Sequence, residues 1–360
     1  VETAILAQIN HQSLIATKAR RIVRAANGRV VSDFGARRAH NMDAATYGAR
    51  AAYIGGVAGT ATVSAGQMFN IPISGTMAHS WVMFYGDEYE AFKKYAETYP
   101  DATVLLVDTY DVIHSGIPNA IKVAHEVLEP MGKRLMGIRI DSGDLAYLSK
   151  RVRKMLDAAG LEDCKIVVSN SLDEFTVASL LNQGAYIDAF GIGERLITAE
   201  SEPVFGAVYK LAAVGENGEF APRIKVSENV EKITNPGLKD LYRIYDAQGH
   251  AVADLLAECG EAVDLSESFR YVDPQKPWKN RTFDDCTCKN LRKIYVRQGK
   301  RTEKLPDLGE IRNYVKQQLD SEIWEEEQRF ENPHKHYLDM TPKYYELKME
   351  LLSKTREAHA

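Results

Sequence analysis

Six times in the first two hundred residues, a short apolar run stops at small or polar residues and a helical pattern takes over. Arg29-Val30-Val31 leads into Ser32-Asp33-Phe34-Gly35-Ala36-Arg37-Arg38, and Ile71-Pro72-Ile73 into Ser74-Gly75-Thr76 and His79. Val104-Leu105-Leu106-Val107 leads into Asp108-Thr109-Tyr110-Asp111, and Leu135 to Ile140 into Asp141-Ser142-Gly143-Asp144. Ile166-Val167-Val168 leads into Ser169-Asn170-Ser171, and Ile187-Asp188-Ala189-Phe190 into Gly191-Ile192-Gly193-Glu194. The apolar spacing predicts helices over Ala44–Ala52, Glu88–Thr98, Ile117–Leu128, Ala146–Ala159 and Glu174–Asn182. Strands that alternate with helices in this way form a parallel sheet. The runs are continuous rather than alternating, so both faces of the sheet are covered. Six such units favour an α/β fold built as a β/α barrel over an open sheet. In either form, ligands sit at the carboxyl ends of the strands, where every polar cluster falls.

The grammar changes near Val204. Short strand-like pieces follow at Ala207–Val214, Arg223–Val226, Leu241–Tyr245 and Lys293–Arg297, then a long amphipathic helix over Leu305–Phe330. Three parts result: a helix over 1–27, a catalytic barrel over 28–203, and a smaller α+β part over 204–360. A chain of 360 residues is long enough for this plan. It opens at Val1 inside a helical pattern (Ile5, Leu6, Ile9, Ile15, Ala19, Ile22, Val23), which points to a further segment upstream.

A net charge of −5 gives no overall attraction to nucleic acid or to an anionic membrane. No apolar run reaches the roughly 20 residues of a membrane helix. Four scattered cysteines suit a reducing cytoplasm, and Cys286-Thr-Cys288 reads as free thiols rather than as half of a metal site.

Each cluster has a structural and a chemical reading. Gly191-Ile192-Gly193-Glu194 is a tight turn or a place where backbone N–H groups approach a phosphate. Strand alternation puts Arg139 and Asp141 on one face, as an ion pair or as a grip on a polar ligand. Asp108 and Asp111 add acidic groups at a neighbouring strand end. These suit Mg²⁺ carried by water and substrate oxygens, or sugar hydroxyls. Phe34 with Arg37 and Arg38 joins a flat apolar face to guanidinium forks, or is barrel core beside surface charge. His79 is a satisfied histidine at a helix-capping turn, or a nucleophile.

SDFGARRAH, ISGTMAHSW, VDTYD, IRIDSGD and FGIGERL, in this order and spacing, closely resemble the nicotinate phosphoribosyltransferase family. The resemblance runs from Val1 into the ENPHKHY segment. It implies a type II phosphoribosyltransferase fold, an irregular α/β barrel with a sandwich built from both chain ends, and a homodimer with sites near its interface. It implies a reaction of nicotinate with 5-phosphoribosyl 1-diphosphate, coupled to ATP hydrolysis and supported by Mg²⁺. By position, His79 matches a histidine that ATP phosphorylates transiently. Phe34 matches the residue that stacks on the pyridine ring, and Arg139 and Thr76 those at the nicotinate carboxylate. Arg37, Asp108 and Asp141 match the ribose–diphosphate region, and Gly193 and Glu194 the 5′-phosphate, with Ser169 and Asn170 nearby. Ala61 stands where nicotinamide-using relatives carry Asp, which favours nicotinate by removing a repulsive carboxylate. Many relatives have Thr where this chain has Glu194, an acid that must turn away from a phosphate or be balanced by Arg195. A nicotinamide- or quinolinate-using enzyme of the same fold, or an inactive relative, stands as the alternative.

Overall fold

The computed structural model describes residues 1–216, 218–228, 232–265, 268–273, 276 and 278–358. The chain divides into two units, Val1–Gly206 and Ala207–Ala360.

The first unit runs α1 (Glu2–Ala25), β1 (Val30–Asp33), α2 (Met42–Ile54), β2 (Gly59–Thr60), α3 (Val63–Phe69), α4 (His79–Tyr85), α5 (Glu88–Thr98), β3 (Val104–Leu106), α6 (Ile117–Val123), β4 (Gly137–Ile140), α7 (Leu145–Ala158), β5 (Lys165–Ser169), α8 (Glu174–Asn182), β6 (Ala189–Ile192) and α9 (Glu194–Ile197). All the strand pairs are parallel, and the sheet order is β2-β1-β6-β5-β4-β3. Pairing of the first strand with the last makes this the order of a barrel read around its circumference. Among the described residues the ring is not closed: Ile73 bridges to Thr60 beyond β2, and nothing joins that edge to β3. The predicted strand at Ile71–Ile73 is therefore reduced to one bridge, because Pro72 has no N–H for a ladder.

Continuous apolar runs are buried as expected, with Leu105, Leu106, Ile138, Ile140, Ile166, Val168 and Ile192 all fully enclosed. Asn41, Asp87, Asp144 and Asp173 cap α2, α5, α7 and α8 by accepting backbone N–H groups. Asp111 caps likewise, accepting from the Ile113 and His114 N–H groups at 2.9 and 2.8 Å. Two acids of the polar clusters, Asp111 and Asp144, thus serve the backbone. On the outside, α1 is tied to α8 by the fully buried Glu174, whose carboxylate lies 2.7 Å from Lys18 Nζ and 3.3 Å from Arg21 Nε.

The second unit holds β7 (Ala213–Glu216), β8 (Glu219–Pro222), β9 (Lys239–Tyr245), β10 (Ala251–Glu258), β11 (Phe269–Val272), β12 (Asn280–Phe283), β13 (Thr287–Asn290), β14 (Val296–Arg297), β15 (Lys300–Arg301), α10 (Leu308–Gln317), β16 (Tyr337–Met340) and α11 (Pro342–Ala358). Its main sheet has the order β13-β9-β10-β16. Ile244, Val252, Leu255, Tyr271 and Phe283 form its apolar core. Strand β10 is absent from the sequence reading, since Ala-Asp-Leu-Leu-Ala-Glu has helical rather than strand propensity. The long predicted helix is shorter than expected. It starts at a capping box between Asp307 and Glu310 and loses α-helical geometry after Gln317. Among the described residues, no helix is long and apolar enough to cross a membrane, and no three His, Cys, Asp or Glu side chains gather as a metal site would require.

Candidate active site

Parallel strands bring all their carboxyl ends to one edge of the sheet, and the candidate residues of the first unit collect there. In β4, Ile138 and Ile140 point into the core, which turns Arg139 to the other face. Its guanidinium is held on three sides. Nε donates to Ser169 Oγ at 2.8 Å, Nη1 donates to Thr76 Oγ1 at 2.8 Å, and Nη2 lies 3.1 Å from Asp141 Oδ1. Ser169 Oγ in turn donates to Asp141 Oδ1. The Phe34 ring completes the enclosure, with the guanidinium carbon 5.4 Å from its centroid. Three strand ends and the Ser74–Thr76 turn therefore fix one cation and one carboxylate. Ser169 is buried and its hydroxyl is fully engaged, so it orients Arg139 and Asp141 rather than facing outward.

Beside this cluster, Asp108 follows β3 with its side chain only 2% exposed. Oδ2 accepts from the Asp141 N–H at 3.1 Å and from Ser142 Oγ at 2.6 Å. Oδ1 lies 3.1 Å from His79 Nε2, at the first residue of α4. Asp108 accordingly serves as an anchor for the imidazole and for the β4 turn. With Nε2 protonated and donating to Asp108, Nδ1 carries the free lone pair.

The third group surrounds the end of β1. Asp33 is fully buried, and burial pushes its carboxyl above the usual range although Thr60 and Gly35 donate to it. Oδ2 accepts from Thr60 Oγ1 at 2.7 Å and Oδ1 from the Gly35 N–H at 2.8 Å. Thr60 Oγ1 accepts from the Thr62 N–H at 3.0 Å, and the Asp33 carbonyl from the Ala61 N–H at 2.8 Å. One carboxylate thus brackets both Phe34 and Ala61. Ala61 itself is exposed at the end of β2, and places no charge there.

Other candidates stand apart from these networks. Arg37 is exposed in the Ala36–Arg38 turn and has no side-chain partner among the described residues. Asn170 is exposed with φ +104°, and Ser171 follows at +44°, so the loop after β5 carries two consecutive left-handed residues. Gly193 lies between β6 and α9. Glu194 is exposed, with its carboxylate 3.5 Å from Arg38 Nε. Arg195, one of the two ways to offset Glu194, is engaged elsewhere. Arg195 pairs with Asp173 and lies 3.6 Å from Glu200. Asp173 is held below the usual carboxylate range, as hydrogen bonds from Thr176 and Arg195 outweigh its burial.

Asp33, Thr60 and Ser142 were not singled out as site residues by sequence reasoning. Asp33 and Ser142 lie inside the quoted motifs, but only the fold reveals whom they bind.

The sequence profile of the nicotinate phosphoribosyltransferase (NAPRTase) family matches residues 30–235, and that of the nicotinate phosphoribosyltransferase C-terminal domain matches residues 238–348. The chain belongs to this family. Nicotinate phosphoribosyltransferase of Bacillus subtilis (strain 168) is 46% identical over 359 residues, which cover 99% of this chain and 72% of that one. The human nicotinate phosphoribosyltransferase is 31% identical over 387 residues, 92% of this chain and 71% of that one. The crystal structure of human nicotinic acid phosphoribosyltransferase superposes with a TM-score of 0.78 at 28% identity, covering 95% of this chain and 74% of the other. That of nicotinate-nucleotide pyrophosphorylase from Pyrococcus furiosus gives 0.64 at 28% identity, covering 89% and 73%. The protein is thus a nicotinate phosphoribosyltransferase-type enzyme, and its mixed α/β architecture is the one these relatives share.

Proposed function

We propose that this nicotinate phosphoribosyltransferase joins nicotinate to 5-phosphoribosyl 1-diphosphate, releasing diphosphate, and that it hydrolyses ATP in the same cycle through His79. The pairing of His79 Nε2 with the buried Asp108 at 3.1 Å carries this reading. It leaves Nδ1 free to attack the terminal phosphorus of ATP. The N–P bond forms as the P–O bond to ADP breaks with its electron pair, and water later takes the phosphoryl group to give phosphate. A carboxylate that shares the Nε2 proton stabilises the cationic phosphoimidazole.

The Arg139–Thr76 pair supports recognition of the nicotinate carboxylate, and Phe34 supplies a flat face for the pyridine ring. Asp141 faces the positive charge that develops on the ribose as the diphosphate leaves. Arg37, free of partners among the described residues, suits the diphosphate. Gly193 and Asn170 border the 5′-phosphate end, and the Arg38–Glu194 contact keeps that acid occupied. Mg²⁺ suits this site as a passenger on the substrate's phosphates. Asp108 has both oxygens engaged and Asp141 has only Oδ2 to offer, so water and substrate oxygens supply most of its ligands.

Exposed apolar side chains support pairing with a second copy of the chain. Met68, Ile73, Met83 and Phe84 on and around α3 and α4 are 60%, 57%, 64% and 83% exposed. Reduced, unpaired cysteines such as the buried Cys164 suit a cytoplasmic enzyme.

The test is to add ATP and Mg²⁺ and look for one phosphoryl group by mass spectrometry. His79→Gln keeps a donor where Nε2 stood but has no Nδ1 nucleophile. The label is expected on His79 and absent from the variant, and nicotinate turnover is expected to rise with ATP. Phosphorylation at another residue, or ATP-independent turnover at the full rate, would overturn the coupling.

A further inference from the structure

Gly191 occupies the middle of the sheet, opposite Ser32 of β1 on one side and Ser169 of β5 on the other. A glycine in a central strand weakens it and marks a place where something approaches closely. Its backbone is not in the left-handed region, so conformation does not require glycine here. Space does. A Cβ built on Gly191 would lie 2.3 Å from Phe34 Cε2, 2.5 Å from Cδ2 and 3.2 Å from Cζ. The aromatic ring therefore rests directly on the bare backbone of β6, while the Arg139 guanidinium lies near the same ring at 5.4 Å.

The contacts around the backbone of Phe34 keep the residue from sliding away. The Phe34 N–H donates to the Ile192 carbonyl at 2.8 Å. Gly35 is packed so closely that a Cβ there would meet Ile197 Cβ at 2.6 Å and the Gly193 carbonyl oxygen at 2.9 Å. A Cβ on Gly193 would come within 3.1 Å of the Phe34 carbonyl oxygen. Backbone and neighbours hold the main chain of Phe34 in place, so any methyl at position 191 must be accommodated by the ring.

We infer that Gly191 is a positioning residue for the pyridine base. Its missing side chain is the seat that sets the depth of the Phe34 ring and its alignment with Arg139. The inference rests on the reading of Phe34 as the wall of the base site. A methyl group at 191 drives the ring forward into the space reserved for the base, and separates it from the guanidinium that holds the carboxylate. Asp108 and Asp141 are held by Ser142, Ser169 and Arg139 rather than by the ring, so the ribose–diphosphate side is expected to keep its place.

The experiment is a cycle of Gly191→Ala, Phe34→Leu and the double variant, with nicotinate and phosphoribosyl diphosphate each varied in turn. Gly191→Ala is expected to raise the nicotinate KM by about tenfold or more, with the KM for phosphoribosyl diphosphate within about twofold. The double variant is expected to be no worse than Phe34→Leu alone, since the smaller side chain makes room. A nicotinate KM within twofold of the parent, or a double variant as impaired as the product of the two singles, overturns the inference.

Thermal melting judges the seat separately. At an open site, Gly→Ala in a strand stabilises by limiting the unfolded chain. At a filled seat, Gly191→Ala lowers the melting temperature by about 3–10 °C. Phe34→Leu in the same chain is expected to restore part of that loss. A rise in melting temperature, or losses that simply add, refutes the seat. If the parent chain makes no nucleotide from nicotinate, the functional reading fails, and the melting cycle still decides whether Gly191 seats the ring.

Discussion

Replacing Arg139 by Lys keeps the positive charge and removes the fork. The guanidinium reaches Ser169, Thr76 and Asp141 from three different nitrogens, with a side chain only 14% exposed. A single ammonium can stay with Asp141, the one charged partner, and recover a second contact by tilting. At least one charge-assisted hydrogen bond is lost, worth about 1.5–3 kcal/mol. Loss of the guanidinium beside Phe34 adds about 0.5–1 kcal/mol. The total of about 2–4 kcal/mol corresponds to a fall in kcat/KM for nicotinate of roughly 30- to 1000-fold. The assay is initial-rate nucleotide formation with nicotinate varied at saturating phosphoribosyl diphosphate, Mg²⁺ and ATP. Most of the effect is expected in KM, since in the proposed role the fork holds the base before and after the bond to ribose forms. Thr76→Val removes one of the three contacts and should cost about tenfold. If Arg139→Lys stays within threefold of the parent, a bidentate grip on the carboxylate is not what Arg139 provides.

Thr60→Val keeps shape but strands Asp33 Oδ2 and the Thr62 N–H, at about 1–3 kcal/mol for each group left unpaired; it should lower the melting temperature and raise the nicotinate KM, and an unchanged KM would disconnect Asp33 from the base site. Glu174→Gln leaves Lys18 buried beside a neutral amide, at about 3–5 kcal/mol, so calorimetry should show the first unit melting on the order of 10 °C lower. Ala61→Asp should repel nicotinate and favour nicotinamide, and competition between the two bases reads the switch directly. In the second unit, His336 is held between Asp254 and Glu327, whose hydrogen bonds raise its pKa to about 9, and its ring nitrogens lie 3.3 and 3.0 Å from them. A raised folded pKa stabilises fully below the unfolded value of about 6.5 and fades as pH rises towards about 9; His336→Gln should flatten that alkaline loss in a pH series of melting curves, and an equally steep loss would assign it elsewhere.

The first unit was legible because its rule is simple. Five of the six apolar runs become strands of one parallel sheet, and the acids, serines or glycines that follow them mark its carboxyl edge. Helices over Glu88–Thr98 and Glu174–Asn182 are found where the spacing placed them. Partnership was less legible. The Arg139–Asp141 contact was readable from strand alternation, whereas only three dimensions assign His79 to Asp108. Arg195 looked like the neighbour of Glu194, but a short helix turns it to Asp173 instead. In the second unit, strands pair across irregular loops with mixed polarity. Strand β10 gave no alternating signal because alanines fill three of its buried positions, and Val252 and Leu256 break the alternation of polar and apolar residues.

The pairing of β1 with β6 also governs when the site can exist during synthesis. Val30 faces Ala189, so the first strand waits for the last before its hydrogen bonds on that side are made. Such distant pairs are slow to form and leave an exposed edge in the meantime. Phe34, made early, has no surface to rest on until Gly191 has left the ribosome. A nascent chain interrupted before β6 would contain His79, Asp108, Arg139 and Asp141 in full, yet lack the strand that joins β1 to β5. Assembly of the sheet and assembly of the proposed base site are therefore one event, and a chaperone that shields the waiting edge of β1 would be protecting the proposed site as well.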